Sequence, residues 1–203
     1  MKTISHLSFL LLLLSCQAIA QKELGKINSR NLVERRLTIE PALGIHTNFG
    51  IDLLVTNLVQ WNVNKRISLA SHSSYNINNI TQRNFNYVET DYNYSLNQKF
   101  GIGRTFYSKR SSHSFFFMAG AKYTDYKETL VNPDFDKVSS AVSSFSPDYG
   151  MMYSLKKGVK NTFFSFRLYL PLYPWPIKGS DINYSESNME NIALEFGVGI
   201  KIK

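Results

Sequence analysis

From Asn191 to Lys203 the chain alternates without a slip. Ile192, Leu194, Phe196, Val198, Ile200 and Ile202 take the even positions. Asn191, Ala193, Glu195, Gly197, Gly199, Lys201 and Lys203 take the odd ones. A period of two puts these sets on opposite faces of an extended strand. One face is continuously apolar and the other small or charged. A tilted strand needs about 9–11 residues to cross a bilayer, and this segment supplies them.

The same rhythm predicts seven strands upstream. Leu37, Ile39, Pro41, Leu43 and Ile45 oppose Arg36, Thr38, Glu40, Ala42 and Gly44. Leu53, Val55, Val59, Trp61 and Val63 oppose Asp52, Thr56, Gln60 and Asn62. Ile67, Leu69, Tyr75 and Ile77 oppose Ser68, Ala70, His72, Ser74 and Asn76. Tyr92, Tyr94, Leu96, Phe100, Ile102 and Phe106 oppose Asn93, Ser95, Asn97, Lys99, Gly101 and Gly103. Phe115, Phe117, Ala119, Ala121 and Tyr123 oppose Gly120, Lys122 and Thr124, with Phe116 and Met118 out of pattern. Phe145, Tyr149, Met151, Tyr153 and Leu155 oppose Ser144, Ser146, Asp148 and Gly150. Phe164, Phe166, Leu168, Leu170 and Leu172 oppose Ser165, Arg167 and Tyr169.

Asn64-Lys65-Arg66, Ser108 to His113 and Lys156 to Asn161 read as short turns. Asn78 to Asp91, Val131 to Ser139 and Pro174 to Glu190 read as longer links, with His46 to Gly50 a short exception. Short turns on one rim and longer loops on the other describe an all-β, antiparallel, up-and-down transmembrane β-barrel of about eight strands. The face holding Ile192, Leu194, Phe196, Val198, Ile200 and Ile202 is then expected to meet lipid. Glu40, Lys99, Lys122, Asp148, Arg167 and Glu195 are expected inside, three acids against three bases. Eight strands leave a lumen only wide enough for its own side chains, and charges buried there need partners. A methyl added inward at Gly197 is expected to be mild unless that spot is tightly packed.

The start of the chain reads differently. Lys2, the apolar run Leu7 to Leu14 and Ala18-Ile19-Ala20 lay out a secretory signal peptide over residues 1–20, with cleavage before Gln21. A second reading takes Leu13-Leu14-Ser15-Cys16 as a lipoprotein box, with Cys16 lipidated. Residues 21–35 form a periplasmic N-terminal segment and 36–203 the outer-membrane barrel domain. Cys16 is the chain's one cysteine. A chain cut after Ala20 thus excludes disulfides, cysteine zinc sites and cysteine nucleophiles.

Composition adds two exclusions. Hydrophobic content of 43% and a mean hydropathy of −0.21 rule out a helix-bundle membrane protein, while 14% aromatics suit interfacial girdles. The net charge is +8, and beyond Lys2 its remaining seven positive charges match Lys65, Arg66, Lys109, Arg110, Lys156, Lys157 and Lys160, in three turn-like segments. A nucleic-acid protein would carry its basic residues on one binding face, so no nucleic acid is expected.

On these strands and turns, the stretch from about Leu37 to Lys203 resembles the small eight-stranded outer-membrane β-barrel proteins of Gram-negative bacteria. The resemblance implies contact with outer-membrane lipids and lipopolysaccharide, and assembly by the barrel-insertion machinery. Members usually end their last strand on an aromatic residue; here Phe196 is the nearest one to Gly199-Ile200-Lys201-Ile202-Lys203.

Chemistry-bearing residues are few. His72 and Ser74 are similar to the start of the motif of lipid A 3-O-deacylases, eight-stranded barrels with a His, a Ser two residues on and a Glu about a dozen residues later. Position 86 is Asn86, Tyr75 follows Ser74, and the nearest acid is Glu89. Alternation also turns His72 and Ser74 inward, so lumen filling is the reading preferred over catalysis. The dispersed histidines show no metal-ligand spacing, and no cofactor motif is present. Asp134, Asp136, Asp181, Glu186 and Glu190 make the longer loops acidic on balance, for which a solvated loop is preferred over a Ca²⁺ or Mg²⁺ site. Inward glycines such as Gly101 and Gly103 are read as room for bulky neighbours.

The function expected from these observations is non-enzymatic: envelope structure or surface binding through the longer loops. A transport or secretion accessory and a lipid A-modifying enzyme are the alternatives.

Overall fold

Period-two alternation needs a partner strand on each side to satisfy its backbone groups, and the chain meets this by closing on itself. The computed structural model describes residues 37–47, 51–64, 67–77, 88–108, 111–131, 136–158, 161–172 and 192–202. They form β1 (Leu37–Thr47), β2 (Ile51–Asn62), β3 (Ser68–Ile77), β4 (Val88–Tyr107), β5 (Ser111–Leu130), β6 (Val138–Lys157), β7 (Thr162–Pro171) and β8 (Ala193–Ile202). Each strand pairs antiparallel with the next, and β8 returns to β1 to complete an eight-stranded up-and-down barrel. The signal-peptide and N-terminal segments expected at 1–20 and 21–35 lie outside the described residues.

The seam between β1 and β8 runs from Leu37↔Ile202 to His46↔Ala193. Pro41 has no N–H to give, and the paired residues of the seam pass from Ile39↔Ile200 to Ala42↔Gly197. On its other side Pro41 keeps its place opposite Asn57.

Tight turns close one rim. Val63 N–H donates to the Ile67 carbonyl at 3.0 Å, and Asn64 Oδ1 accepts from Ile67 N–H at 2.8 Å. Ser108 N–H donates to the Ser111 carbonyl at 2.8 Å. Strands run closer to these turns than alternation suggested: β5 begins at Ser111 and β6 continues to Lys157.

At the opposite rim β4, β5 and β6 are 20 residues each, against 10 to 12 for the others. Pairing of β3 with β4 stops at Ile77↔Tyr94, and that of β6 with β7 at Gly150↔Pro171. Beyond those points β4, β5 and β6 continue as a three-stranded sheet that projects from the barrel. The long links expected from Asn78 to Asp91 and from Val131 to Ser139 are therefore shorter, with strand structure from Val88 and from Val138. Alternation missed these ends for two reasons. Few apolar residues recur there at every second position, and a register shift between Thr90 and Tyr92 breaks the period.

Inward positions are not all polar. Leu54, Leu58, Ala70, Phe116, Met118, Met152, Tyr169 and Ala193 form an apolar cluster within the barrel. Phe116 and Met118 fall out of pattern because both point inward and are buried. Their space comes from β4, where Gly103 pairs with Phe116 and Gly101 with Met118. A Cβ at either glycine would collide with the facing strand and with those two side chains.

Gly197 is equally tight, so the spot does not suit an added methyl. Its Cβ would meet the Pro41 carbonyl oxygen, and Ala42 Cα at 3.0 Å. These are backbone atoms of the seam and cannot swing aside. Gly197→Ala should lower unfolding free energy by about 1–3 kcal/mol, the usual cost of overpacking, read from reversible denaturant unfolding beside the parent protein.

Candidate functional site

The barrel interior holds the densest chemistry. Alternation turns Thr38 and Glu40 of β1, Thr56 and Gln60 of β2, His72 of β3 and Lys99 of β4 into one channel. Asp148 and Lys156 of β6, Arg167 of β7 and Glu195 of β8 join them, all buried. Three clusters result, each joining strands that are not neighbours.

The first centres on Arg167, with no exposed surface. Its Nη2 donates to Thr56 Oγ1 at 2.9 Å and its Nη1 to the Glu40 carbonyl at 3.1 Å. Its Nε stands 2.8 Å from Glu195 Oε2 as an ion pair, though the N–H is not aligned for a hydrogen bond. Thr56 Oγ1 donates to the same carboxylate oxygen at 2.8 Å. His72 Nε2 meets the other oxygen, Oε1, at 3.0 Å. Glu195 is thus held by β2, β3 and β7 together.

The second cluster lies toward the short-turn rim. Lys156 pairs with Glu40 Oε1 and donates to Thr38 Oγ1 at 2.8 Å, while Thr38 donates to the same Glu40 oxygen at 2.8 Å. Beside it, Gln60 Nε2 donates to Asn62 and Thr105, and the Thr105 hydroxyl meets those of Ser68 and Ser114.

The third cluster lies toward the projecting sheet. Lys99 Nζ is 2.7 Å from Asp148 Oδ2, and Asn97 and Tyr169 both donate to the Asp148 carboxylate. The Lys99 ammonium also stands 3.5 Å from the centre of the Tyr169 ring. An ammonium over an aromatic face is held by the ring quadrupole.

The six expected inward charges, Glu40, Lys99, Lys122, Asp148, Arg167 and Glu195, are all buried in the interior. The equal count of acids and bases does not hold, because Lys156 and Lys201 are buried there too. Among the described residues five cations face three carboxylates. Lys156 escaped notice because it was read as part of a turn, yet it is the ion-pair partner of Glu40. The signal was available: Lys156 continues the even-numbered inward row of Asp148 and Gly150.

His72 and Ser74 line the interior, both 2% exposed. His72 Nδ1 has no hydrogen-bond partner among the described residues, so Ser74 is not bonded to it. Glu89 is exposed near the start of β4, in the projecting sheet. No nucleophile, base and orienter assemble from these three. Among the described residues no group of three potential metal ligands comes together. Of the loop acids, Asp134, Asp181, Glu186 and Glu190 lie outside the described residues.

Removing one partner of a buried pair leaves a charge stranded, at a cost of about 3–5 kcal/mol. Arg167→Met should destabilise the barrel by that order, since Glu195 stays behind. Adding Glu195→Met to it should recover much of the loss, since an apolar pair of similar volume leaves no bare charge. The check is a double-mutant cycle of unfolding free energies, with a coupling well above 1 kcal/mol expected.

No family model matches the chain, and no curated protein is similar to it in sequence. Solved structures are similar in fold. The crystal structure of Ail, the attachment invasion locus protein of Yersinia pestis, matches with a TM-score of 0.50 at 8% identity, over 82% of this chain and 97% of that one. The N-terminal β-barrel domain of Pseudomonas aeruginosa OprF gives 0.44 at 12% identity, over 83% and 100%. Neisserial surface protein A gives 0.43 at 13%, over 82% and 96%. At 8% identity the likeness to Ail is one of architecture, and it agrees with the topology traced strand by strand: this chain has the fold of a small eight-stranded outer-membrane β-barrel.

Proposed function

We propose that the chain is a non-enzymatic outer-membrane protein that binds a partner at the cell surface through its projecting sheet and longer connections. One observation carries the membrane reading: the barrel is inside out. Phe100, Ile102, Phe115, Phe117, Met151, Phe164, Phe196 and Val198 stand exposed outside, while eight Asp, Glu, Lys and Arg side chains are buried within. A soluble lipocalin-like binder has the opposite arrangement. Exported and set in the outer membrane, the barrel gives that apolar surface lipid to meet, with lipid and lipopolysaccharide its surroundings.

A filled interior points away from transport. Arg167, Leu58, Phe116 and Met118 occupy the middle of the channel with almost no accessible surface. The projecting sheet is what such a barrel offers to the outside. Among the described residues its strands carry Glu89, Asp91 and Glu128 against Lys127, with Asp136 and Lys137 just ahead of β6 and Asp125 buried. Tyr92, Tyr94 and Tyr123 all direct their hydroxyls to Asp125, and Phe145 packs on Tyr123 at 5.0 Å. An acidic surface with aromatic rings suits a cationic partner, through charge and ring faces alike. The Ail structure that contains a heparin analogue, sucrose octasulfate, shows a polyanion on that protein. The charge of the sheet here favours the opposite sign.

Lys127 and Asp91 brace the sheet at 2.7 Å. The hydrogen bond from Lys127 holds the Asp91 carboxyl below its usual range, and the same contact raises the Lys127 ammonium. The pair therefore persists at neutral pH and is lost only as pH falls through the lowered Asp91 pKa.

Val198→Arg tests the membrane setting. An arginine on the lipid side near the midplane costs about 2–4 kcal/mol, so reversible unfolding in lipid vesicles should show a loss of that size. A neutral result would mean that this face does not meet hydrocarbon. The binding reading is tested with vesicles carrying the folded protein, applied to polylysine-coated and polyglutamate-coated beads. Retention on polylysine alone is expected, and Glu89→Gln, Asp91→Asn and Glu128→Gln together should reduce it at constant barrel content. Equal retention on both beads, or none, would remove the surface role proposed for the sheet. Planar bilayers holding the protein should show no steady conductance.

A further inference from the structure

The outer face is not uniformly apolar. At mid-strand on β2, β3 and β4, Asn57, Ser73 and Gln98 point outward and stand directly opposite one another, Asn57↔Ser73 and Ser73↔Gln98. They form one unbroken row across three strands. Apolar rows flank it on both sides: Val55, Tyr75 and Leu96 on one, Val59 with Phe100 on the other, with Ser71 between these two. Outward positions of the spanning parts of β6, β7 and β8 are apolar by contrast, among them Met151, Phe166, Leu168, Leu194, Phe196 and Val198.

The polar groups of the row are partly paired among themselves. Ser73 Oγ donates to Gln98 Oε1 at 2.5 Å, and Gln98 Nε2 donates to Ser71 Oγ at 3.0 Å. Asn57 Oδ1 is covered by its neighbours and has no hydrogen-bond partner among the described residues. An amide without a partner in hydrocarbon carries a desolvation penalty, and acyl chains have nothing to offer it. Lipid headgroups lie at the bilayer surfaces, far from mid-strand.

Given the membrane setting proposed above, we infer that this row is a contact surface between two copies of the chain, with Ser73 at its centre and Asn57 and Gln98 on either side. Three properties select a second copy over another occupant. The row carries no net charge, so it does not call for a partner of opposite sign. Asn, Gln and Ser each both donate and accept, so the patch is complementary to itself, as a twofold contact requires. Depth is the third. Two copies inserted with the same orientation are related by an axis along the membrane normal, which returns Asn57 to its own depth. The half-buried side chains of Asn57, Ser73 and Gln98 then stand against their own counterparts. Hydrogen bonds of this kind act as glue between membrane-spanning segments, and the flanking apolar rows pack beside them.

The test uses the folded protein in lipid vesicles, labelled for energy transfer and diluted with lipid. The parent should self-associate. Asn57→Leu and Gln98→Leu, each read separately, should weaken association by about three- to thirtyfold. Both should stay folded by heat-modifiable migration on gels, because leucine suits hydrocarbon. Oxidation of Ser73→Cys in the membrane should give a covalent dimer, while Phe166→Cys, on the far wall, should not. A parent that remains monomeric in vesicles would overturn the inference, as would leucine variants that associate like the parent. Cross-linking of Ser73→Cys to a different protein, or equal cross-linking from Phe166→Cys, would overturn it too. A protein that inserts and stays monomeric refutes only the self-contact. A protein that fails to insert, with Val198→Arg neutral, refutes the membrane setting itself.

Discussion

Everything in this barrel depends on one constraint: a closed ring of eight strands must fill its own interior, and each carboxylate placed there must find its counter-charge across the ring. The chain satisfies it with three clusters that span non-adjacent strands. Glu195 on β8 is held by Arg167, Thr56 and His72; Glu40 on β1 by Lys156 and Thr38; Asp148 on β6 by Lys99, Asn97 and Tyr169. Backbone ladders join neighbours only. These side chains tie strands that the ladders leave unconnected.

Between the clusters the filling is apolar, and glycine makes it fit. Gly101 and Gly103 withdraw side-chain volume where Met118 and Phe116 enter. The same exchange occurs at the β7–β8 ladder, where Gly199 stands opposite Phe163. Such a packed, ion-paired interior leaves the barrel as a rigid post.

The projecting sheet and the outer wall have opposite settings. The projecting sheet buries Asp125, Thr129, Ser140 and Val142 but leaves Glu89 and Asp91 exposed, where water meets their charge. The outer wall faces hydrocarbon in the proposed setting and can carry polar groups only where something answers them. Asn57, Ser73 and Gln98 are consequential because of where they stand. The same three side chains in the projecting sheet would be unremarkable.

Strand number, antiparallel order and the inward or outward sense of most positions were determined by the sequence alone. A period of two has only two faces, and a membrane barrel makes them chemically opposite. The buried acids and most of their bases followed directly from that alternation. What the sequence left open was decided by distance across the ring. Nothing along β6 says that Lys156 completes Glu40, because those residues are brought together only when the cylinder closes. Phe116 and Met118 looked like breaks in the pattern, since alternation registers polarity and cannot register the space left by a facing glycine. Gly197 looked roomy for a related reason: its crowding comes from the backbone of β1, at the opposite end of the chain. The projecting ends of β4, β5 and β6 were hidden because their buried positions are held mostly by polar residues such as Asp125, Thr129 and Ser140, which a pattern of polarity does not register. The polar row of Asn57, Ser73 and Gln98 exists only in register, a property of paired strands that no single strand contains.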